Sequence, residues 1–544
     1  MNTRGPQVSA FHELSRSQVV VLTIGVMLAL LLTALDQTVV GTAMPRIIAE
    51  LNGLDYYAWV TTAYLVASTA VVPIAGKLGD LFGRRWFLIG GMVGFVAASA
   101  LCGLSQDMLQ LVAFRGLQGL FGGVLMANVF TVIADIYPPQ TRAKIQGVFG
   151  AVFGLASIVG PTVGGYFTDN LGWRWVFYVN LPVGALAVAV VLFAMPLIRS
   201  NASWRDIDLI GSLTIVAAIV PLLLALSISR DHDWGSPEML ALLAFAAVMT
   251  GAFVLEERRA AHPIVPLGLF RDPTFSVSVV VVFLTAAGMF GSILFVPLIF
   301  QGVLGISATS SGQLLTPMMF AMILTSVATG QLITRVKRYR FVGTCGLLAM
   351  ALGMYLLAQV GPAAPEIDVV RDIMLIGVGL GTTMPLYNNA VMSAVPREVV
   401  GVATSQIQFW RSMGGTVGVA MLGSVLAHRL PERIASQVAT LDLPPQATAL
   451  INTQGAGAAQ SLFDPVGLAA TRAALPPQAQ PVFDQVFGAI KLALASTTHD
   501  IFMYGLAIVL VAAVASVFLK DVPIRGRAHR PTEPPPVVVP ALGE

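Results

Sequence analysis

Apolar runs of about bilayer length, separated by short polar connectors, recur along nearly the whole chain. A membrane-spanning helix needs about 20 residues at a rise of 1.5 Å each. Runs of that kind fall at 18–44, 57–76, 86–105, 108–134, 144–167, 175–197, 208–228, 238–255, 274–301, 311–334, 340–360, 370–394, 403–427 and 500–519. They predict fourteen transmembrane helices, with turn residues at Asn52-Gly53, Pro138-Pro139 and Pro263 to Pro266 dividing them. The stretch 429–498, rich in Ala, Pro and Gln, reads as a loosely ordered extracytoplasmic loop. Its segment Pro481 to Ala495 has the alternative of an interfacial helix. The Pro- and Arg-rich tail 521–544 reads as disordered.

Composition agrees with a membrane setting. Of 544 residues, 56% are apolar and 11% charged, against about 25% charged in soluble domains. The net charge of +3 is small, and the basic residues form short clusters between apolar runs, which argues against a nucleic-acid partner. Twenty-one of the thirty-one Lys and Arg residues fall on the side that holds both termini, so both termini should be cytoplasmic. Cys102 and Cys345 lie within apolar runs and read as packing residues; no His or Cys spacing suggests a metal or another cofactor. The first run, 18–44, is too long for the core of a removable signal peptide.

Charge inside a bilayer costs about 2.5–3.5 kcal/mol on insertion scales, so intramembrane charges carry the functional argument. Asp36 and Arg115 lie at similar depth in the first and fourth runs and can pair if those helices are neighbours. A paired carboxylate stays ionised, whereas one stripped of its partner in a low-dielectric cavity takes a proton. The rival reading is a permanent ion pair that fixes packing. Asp135 lies near the cytoplasmic end of the fourth run. Arg411, beside Trp410, has no acid at its depth and must find carbonyls, Gln406, Gln408, water or an anionic group. Glycines at small-xxx-small spacing (Gly119 and Gly123; Gly150 and Gly154; Gly160 and Gly164; Gly414 and Gly418) predict close helix seams, with Gly160-Pro161 a hinge or seam.

Four motifs resemble the major facilitator superfamily, specifically its fourteen-span drug:proton antiporters. Gly76-Lys77-Leu78-Gly79-Asp80-Leu81-Phe82-Gly83-Arg84-Arg85 is similar to the superfamily's signature loop. Gly76 and Gly83 would permit a tight turn, Arg84 and Arg85 would hold it at the inner surface, and Asp80 could accept from helix N-terminal N–H groups. Arg115-Gly116-Leu117-Gln118-Gly119 resembles the span 4 element, Gly160-Pro161-Thr162-Val163-Gly164-Gly165 the antiporter motif, and Leu35 to Pro45 the span 1 element, with Gly41 where Asn is common. The resemblance implies a cytoplasmic latch in which the loop arginines meet Asp135, proton transfer linked to Arg115, and export rather than import. It also implies an all-α membrane protein with two six-helix bundles, 18–197 and 274–520, and two inserted helices within 198–273, between a cytoplasmic N-terminus (1–17) and the tail. A trace of the second signature loop survives in Gly330-Gln331-Leu332 and Arg335, without its acid.

The expectation is a multi-pass carrier of a bacterial-type inner membrane, acting as a monomer among membrane lipids. It would be driven by protons without a cofactor and would export amphipathic compounds, hydrophobic or cationic. Asp36 would be the proton site, modulated by Arg115. Tyr64, Asn128, Tyr387, Asn388, Asn389, Gln406, Trp410 and Arg411 are placed on the substrate path by polarity and depth, and Met318, Met319 and Met322 in the core. No deeply placed acid is expected in the second bundle, which argues against dications. A lipid, fatty acid or natural product is the alternative cargo, favoured by Arg411. A membrane-embedded enzyme or sensor lacks a catalytic constellation, and no phosphate-binding Gly-Lys-Ser/Thr loop suggests ATP-driven pumping.

Overall fold

A computed structural model describes residues 14–51, 57–197, 206–229, 232–293, 295–304, 306, 314–335, 340–396, 399–441, 472–473 and 480–520. The apolar runs become α1 (Arg16–Leu51), α2 (Tyr57–Phe82), α3 (Arg84–Leu104), α4 (Met108–Ile136), α5 (Pro139–Asn170), α6 (Trp175–Ala194) and α7 (Leu209–Ile228). They continue as α8 (Pro237–Glu257), α9 (Pro273–Ile293), α10 (Thr316–Arg335), α11 (Arg340–Ala358), α12 (Glu366–Ala394), α13 (Val400–Ala439) and α14 (Gln480–Val517). Their starts follow local chemistry. The Asp107 and Asp208 carboxylates cap α4 and α7, Ser236 caps α8, and Pro139 and Pro237 occupy first-turn positions, where a missing N–H costs nothing. Thirteen of the helices are long and apolar enough to cross a bilayer. The fourteenth, α13, is long enough but too polar to qualify by composition, since it carries Gln406, Gln408 and Arg411.

The helix contacts repeat with a shift of eight. In the first bundle α2 packs on α4, α1 on α5, α3 on α4, α3 on α6, α1 on α6 and α1 on α4; in the second, α10 on α12, α9 on α13, α11 on α12, α11 on α14, α9 on α14 and α9 on α12. The joints between bundles obey the same exchange: α5 meets α10 as α13 meets α2, and α5 meets α12 as α13 meets α4. Two copies of one unit thus face each other across a pseudo-two-fold axis. The inserted α7 and α8 pack on one another, and α7 rests against α2 and α13.

Glycine sets the closest approaches. A Cβ at Gly414 or Gly418 would collide with the Phe283 or Ala287 carbonyl of α9, and one at Gly119 or Gly123 with the backbone of Tyr64 or Ser68 on α2. The signature-loop Gly76 behaves in the same way. It lies inside α2 against Ser405 and Gly401 of α13, so it makes a seam and not the expected turn. The turn is a single residue, Gly83, at φ 90°.

The segment expected as an outer loop is helical at both ends. α13 runs on to Ala439 and α14 starts at Gln480, so Pro481 to Ala495 continues a spanning helix. The cause is a local core in which Ile434 and Val438 pack with Val486, Ile490 and Leu494. Arg429 and Arg433 both donate to Asp500 at 2.6 Å at its base. Residues 442–471 and 474–479, the tail 521–544, and 1–13 of the N-terminal segment lie outside the described residues. The four residues after Arg335, where the second signature loop would continue, lie outside them too. Cys102 is buried as expected, but Cys345 is exposed on α11, whose outer face an apolar bilayer would cover.

Overpacking a seam of this kind costs about 1–3 kcal/mol. Gly418→Ala should lower the unfolding temperature in detergent by a few degrees, while Gly165→Ala, with nothing within 4 Å of the added Cβ, should leave it within about a degree.

Candidate proton site and latch

The start of α4 fixes the first half of the site. With Asp107 accepting from the Gln110 N–H at 2.8 Å, Arg115 falls two turns into the helix and Gln118 one turn further on the same face. Asp36 of α1 meets them there. Arg115 Nη1 donates to its Oδ2 at 2.6 Å, and Gln118 Nε2 to Oδ1 at 2.8 Å. Asn180 of α6 adds a third donor to Oδ1 at 2.9 Å and also bonds Ser99 of α3 at 3.0 Å. Gln118 Oε1 accepts from Arg115 at 2.7 Å, and the guanidinium lies 4.4 Å from the centre of the Tyr64 ring. Asp36 is 1% exposed and Arg115 2%. Every described partner of this centre belongs to the first bundle.

The neighbouring seam ties the centre to α5. Thr38, two residues beyond Asp36, donates to the Ala156 carbonyl at 3.2 Å, and Gly160 leaves the space its side chain fills. α5 passes through Pro161 unbroken, so the motif forms a seam at Gly160, while Gly164 is buried and Gly165 faces open space. Lower on α5, Gly147, Gly150 and Gly154 press against Ser326 and Ile323 of α10. One helix therefore touches both Asp36's segment and the other bundle.

The second half of the site is the latch. Arg84 donates to Asp80 and Asp135 at 2.5 Å each and to the Thr131 carbonyl at 2.9 Å. Asp80 reaches across to the second bundle and accepts from the Val402 N–H at 2.9 Å, in the first turn of α13. A carboxylate at a helix N-terminus satisfies an orphan donor and meets the positive end of the helix dipole. Arg84 is buried rather than held at a membrane surface, and Arg85 caps the end of α6 by donating to the Leu192 and Met195 carbonyls at 2.7 and 2.6 Å.

The sequence profile of the Major Facilitator Superfamily matches residues 26–419. The chain belongs to that superfamily. It is 40% identical over 525 residues to the multidrug transporter protein MdtP of Bacillus subtilis (strain 168), covering 95% of each chain. It is 35% identical to multidrug resistance protein 3 of the same organism, over 93% of this chain and 96% of that one. Among solved structures, the human organic anion transporter MFSD10 (TETRAN) aligns with a TM-score of 0.55 at 14% identity, over 90% of this chain and 99% of that one. That likeness is one of fold. As a member of the superfamily, the protein is a transporter and not an enzyme.

The superfamily's two-bundle plan gives the remaining residues their places. Described hydrogen bonds between the bundles gather toward the latch end: Thr131 with Thr404 at 2.8 Å, Asn389 to Gln146 at 2.5 Å, Ser326 to the Gly147 carbonyl at 3.2 Å, and Asp80 with Val402. Asn388 lines a small cleft there with Gln146, Phe149 and Met384. Asn128 bonds its own helix and abuts Gly79 on α2, so it belongs to the latch end. Tyr64 is part of the charged centre, and Tyr387 is buried inside the second bundle beside Gly343. Gln406 is buried, and Trp410 meets Phe283 of α9 edge-on at 6.1 Å. Arg411 is half-buried and donates to Gln408 at 3.0 Å. Met318 and Met322 are core residues and Met319 packs against them.

Sequence reasoning missed Asn180, Gln146 and Arg142. The first two are amides inside or beside apolar runs. Arg142, counted as a topology charge, donates to the Tyr137 and Ala134 carbonyls and closes the end of α4. It also missed Asp372, 1% exposed in the second bundle and bonded to its neighbour Arg371 at 2.9 Å. Asp372 lies six residues into α12, near the end remote from the latch.

Breaking a buried ion pair costs about 3–5 kcal/mol because a charge is left without compensation. Arg115→Met should therefore destabilise the protein by about that much, and adding Asp36→Asn should recover most of the loss. Thermal unfolding of the two single variants and the double variant tests the coupling.

Proposed function

We propose that this transporter exports amphipathic compounds in exchange for protons by alternating access, as a monomer with both termini in the cytoplasm and no cofactor. The observation that carries the reading is the Asp36 centre: an acid and a base held together inside one bundle, joined through Thr38 to the helix that forms the bundle interface. With the latch cytoplasmic, the arrangement described here is closed toward the cell interior.

In the opposite arrangement α5 and α10 part, α1 shifts with α5, and Asp36 exchanges some of its donors for a proton. Substrate release and proton uptake are then alternative ways of stabilising one rearrangement. The names of the two bacterial relatives, a multidrug transporter and a multidrug resistance protein, support drugs as cargo, and the Gly160 seam sits where exporters of this superfamily resemble one another. A lipid or natural-product cargo is a second reading, favoured by the cationic Arg411 on α13.

Proteoliposomes holding a neutral lipophilic dye at equal concentration inside and out, and given a pH gradient, test the coupling. Wild type should move dye against its gradient. Asp36→Asn should lose the pH-driven component while still exchanging dye at equilibrium, and equal pH-driven transport by both would remove Asp36 from the proton role.

A further inference from the structure

Thr404, Gln408 and Arg411 follow one another on α13 at spacings of four and three, so they share a face. Thr404 identifies that face, because its hydroxyl meets Thr131 of α4 at 2.8 Å. The stripe is therefore turned toward the first bundle. Arg411 stands about 10 Å beyond Thr404 along the helix, on the side of the closure remote from the latch.

Its situation differs from that of Arg115, the other deeply placed base. Arg115 is paired with the Asp36 carboxylate and also donates to Gln118 and the Val60 carbonyl. Arg411 donates to Gln408 Oε1 at 3.0 Å, and among the described residues no ion pair includes it. A guanidinium carries five N–H donors, so Gln408 orients the group and leaves donors over for a ligand. One turn further, Gly415 lies against Phe290 of α9, a residue 40% exposed. The cation thus lies one helical turn from an exposed aromatic side chain.

We propose that Arg411 and Gln408 form an anion subsite on the central face of α13, taking the carboxylate or other oxyanion head of an amphipathic substrate whose apolar body lies along Phe290. This rests on the export reading above and narrows its cargo. A charge of like sign in a low-dielectric passage repels, so the same subsite disfavours organic cations. The phosphate of an anionic lipid offers the same chemistry as a free amphiphilic acid.

The test uses the full chain in phosphatidylcholine proteoliposomes and three probes of one body: dansylamino-undecanoic acid, its primary amide and its trimethylammonium counterpart. Dansyl fluorescence gives binding and a pH gradient drives transport in the same samples. Wild type should prefer the acid over the ammonium compound by about ten- to hundredfold in affinity. Arg411→Gln should bring the ratio near one while leaving the amide unchanged, and Arg411→Lys should keep most of the preference. An unchanged ratio in Arg411→Gln, or no preference in wild type, overturns the subsite. Loss of pH-driven transport of all three probes with the binding preference intact overturns the export reading alone. Repeating the series with added phosphatidylglycerol separates the sources. An acid preference erased by that lipid in wild type supports a lipid headgroup at Arg411, and one that persists supports a free amphiphile.

Discussion

The architecture depends on one buried carboxylate. Asp36 sits where neither water nor lipid can stabilise its charge, so its stability comes from three donors on two other helices: Arg115 and Gln118 on α4 and Asn180 on α6. Those bonds fix how α1, α4 and α6 meet. An acid in such surroundings is satisfied either by a full set of donors or by a proton, and the proposed exchange rests on that choice. A permanent ion pair could be built from the same residues. The proton-coupled proposal rests on the attachment of this pair, through Thr38 and the Gly160 seam, to the helix that also carries the interface with the second bundle.

The latch uses the same physics at the other end. Arg84 holds two acids within the first bundle, and one of them, Asp80, is also the N-terminal cap of α13 in the second. Opening that end strips a helix terminus of its cap and exposes Asp80, so the closed state is favoured until another interaction offsets the loss. The pseudo-two-fold exchange of contacts places the joints symmetrically, while the chemistry on them is unequal: Asp80 caps α13, whereas α5 meets α10 through glycines and Ser326. Rigid bundles with unequal joints can rock without internal repacking.

Much of this was legible in the sequence because a bilayer simplifies the reading. Fourteen runs of spanning length gave the helices, and rarity of charge singled out Asp36 and Arg115 before any contact was known. What escaped were features set by partners rather than by residue type. Asn180 looks like any amide in an apolar run until Asp36 is placed beside it. Gly76 looks like a turn residue until Ser405 is seen against it. Asn128 and Tyr387 have suitable polarity and depth, yet a helix also has a direction, and theirs turn into the bundles. The helical ends of 429–498 were hidden because their apolar residues pack on one another, a pairing that local composition does not reveal.

Proton coupling at Asp36 requires that its protonation change as the bundles rearrange. Infrared difference spectra of the full chain in lipid, recorded before and after addition of a transported lipophilic dye, read carboxyl groups directly. A band changing between carboxylate and protonated acid in wild type, and missing from Asp36→Asn, is the predicted result. No such change in wild type, or the same change in Asp36→Asn, would contradict it.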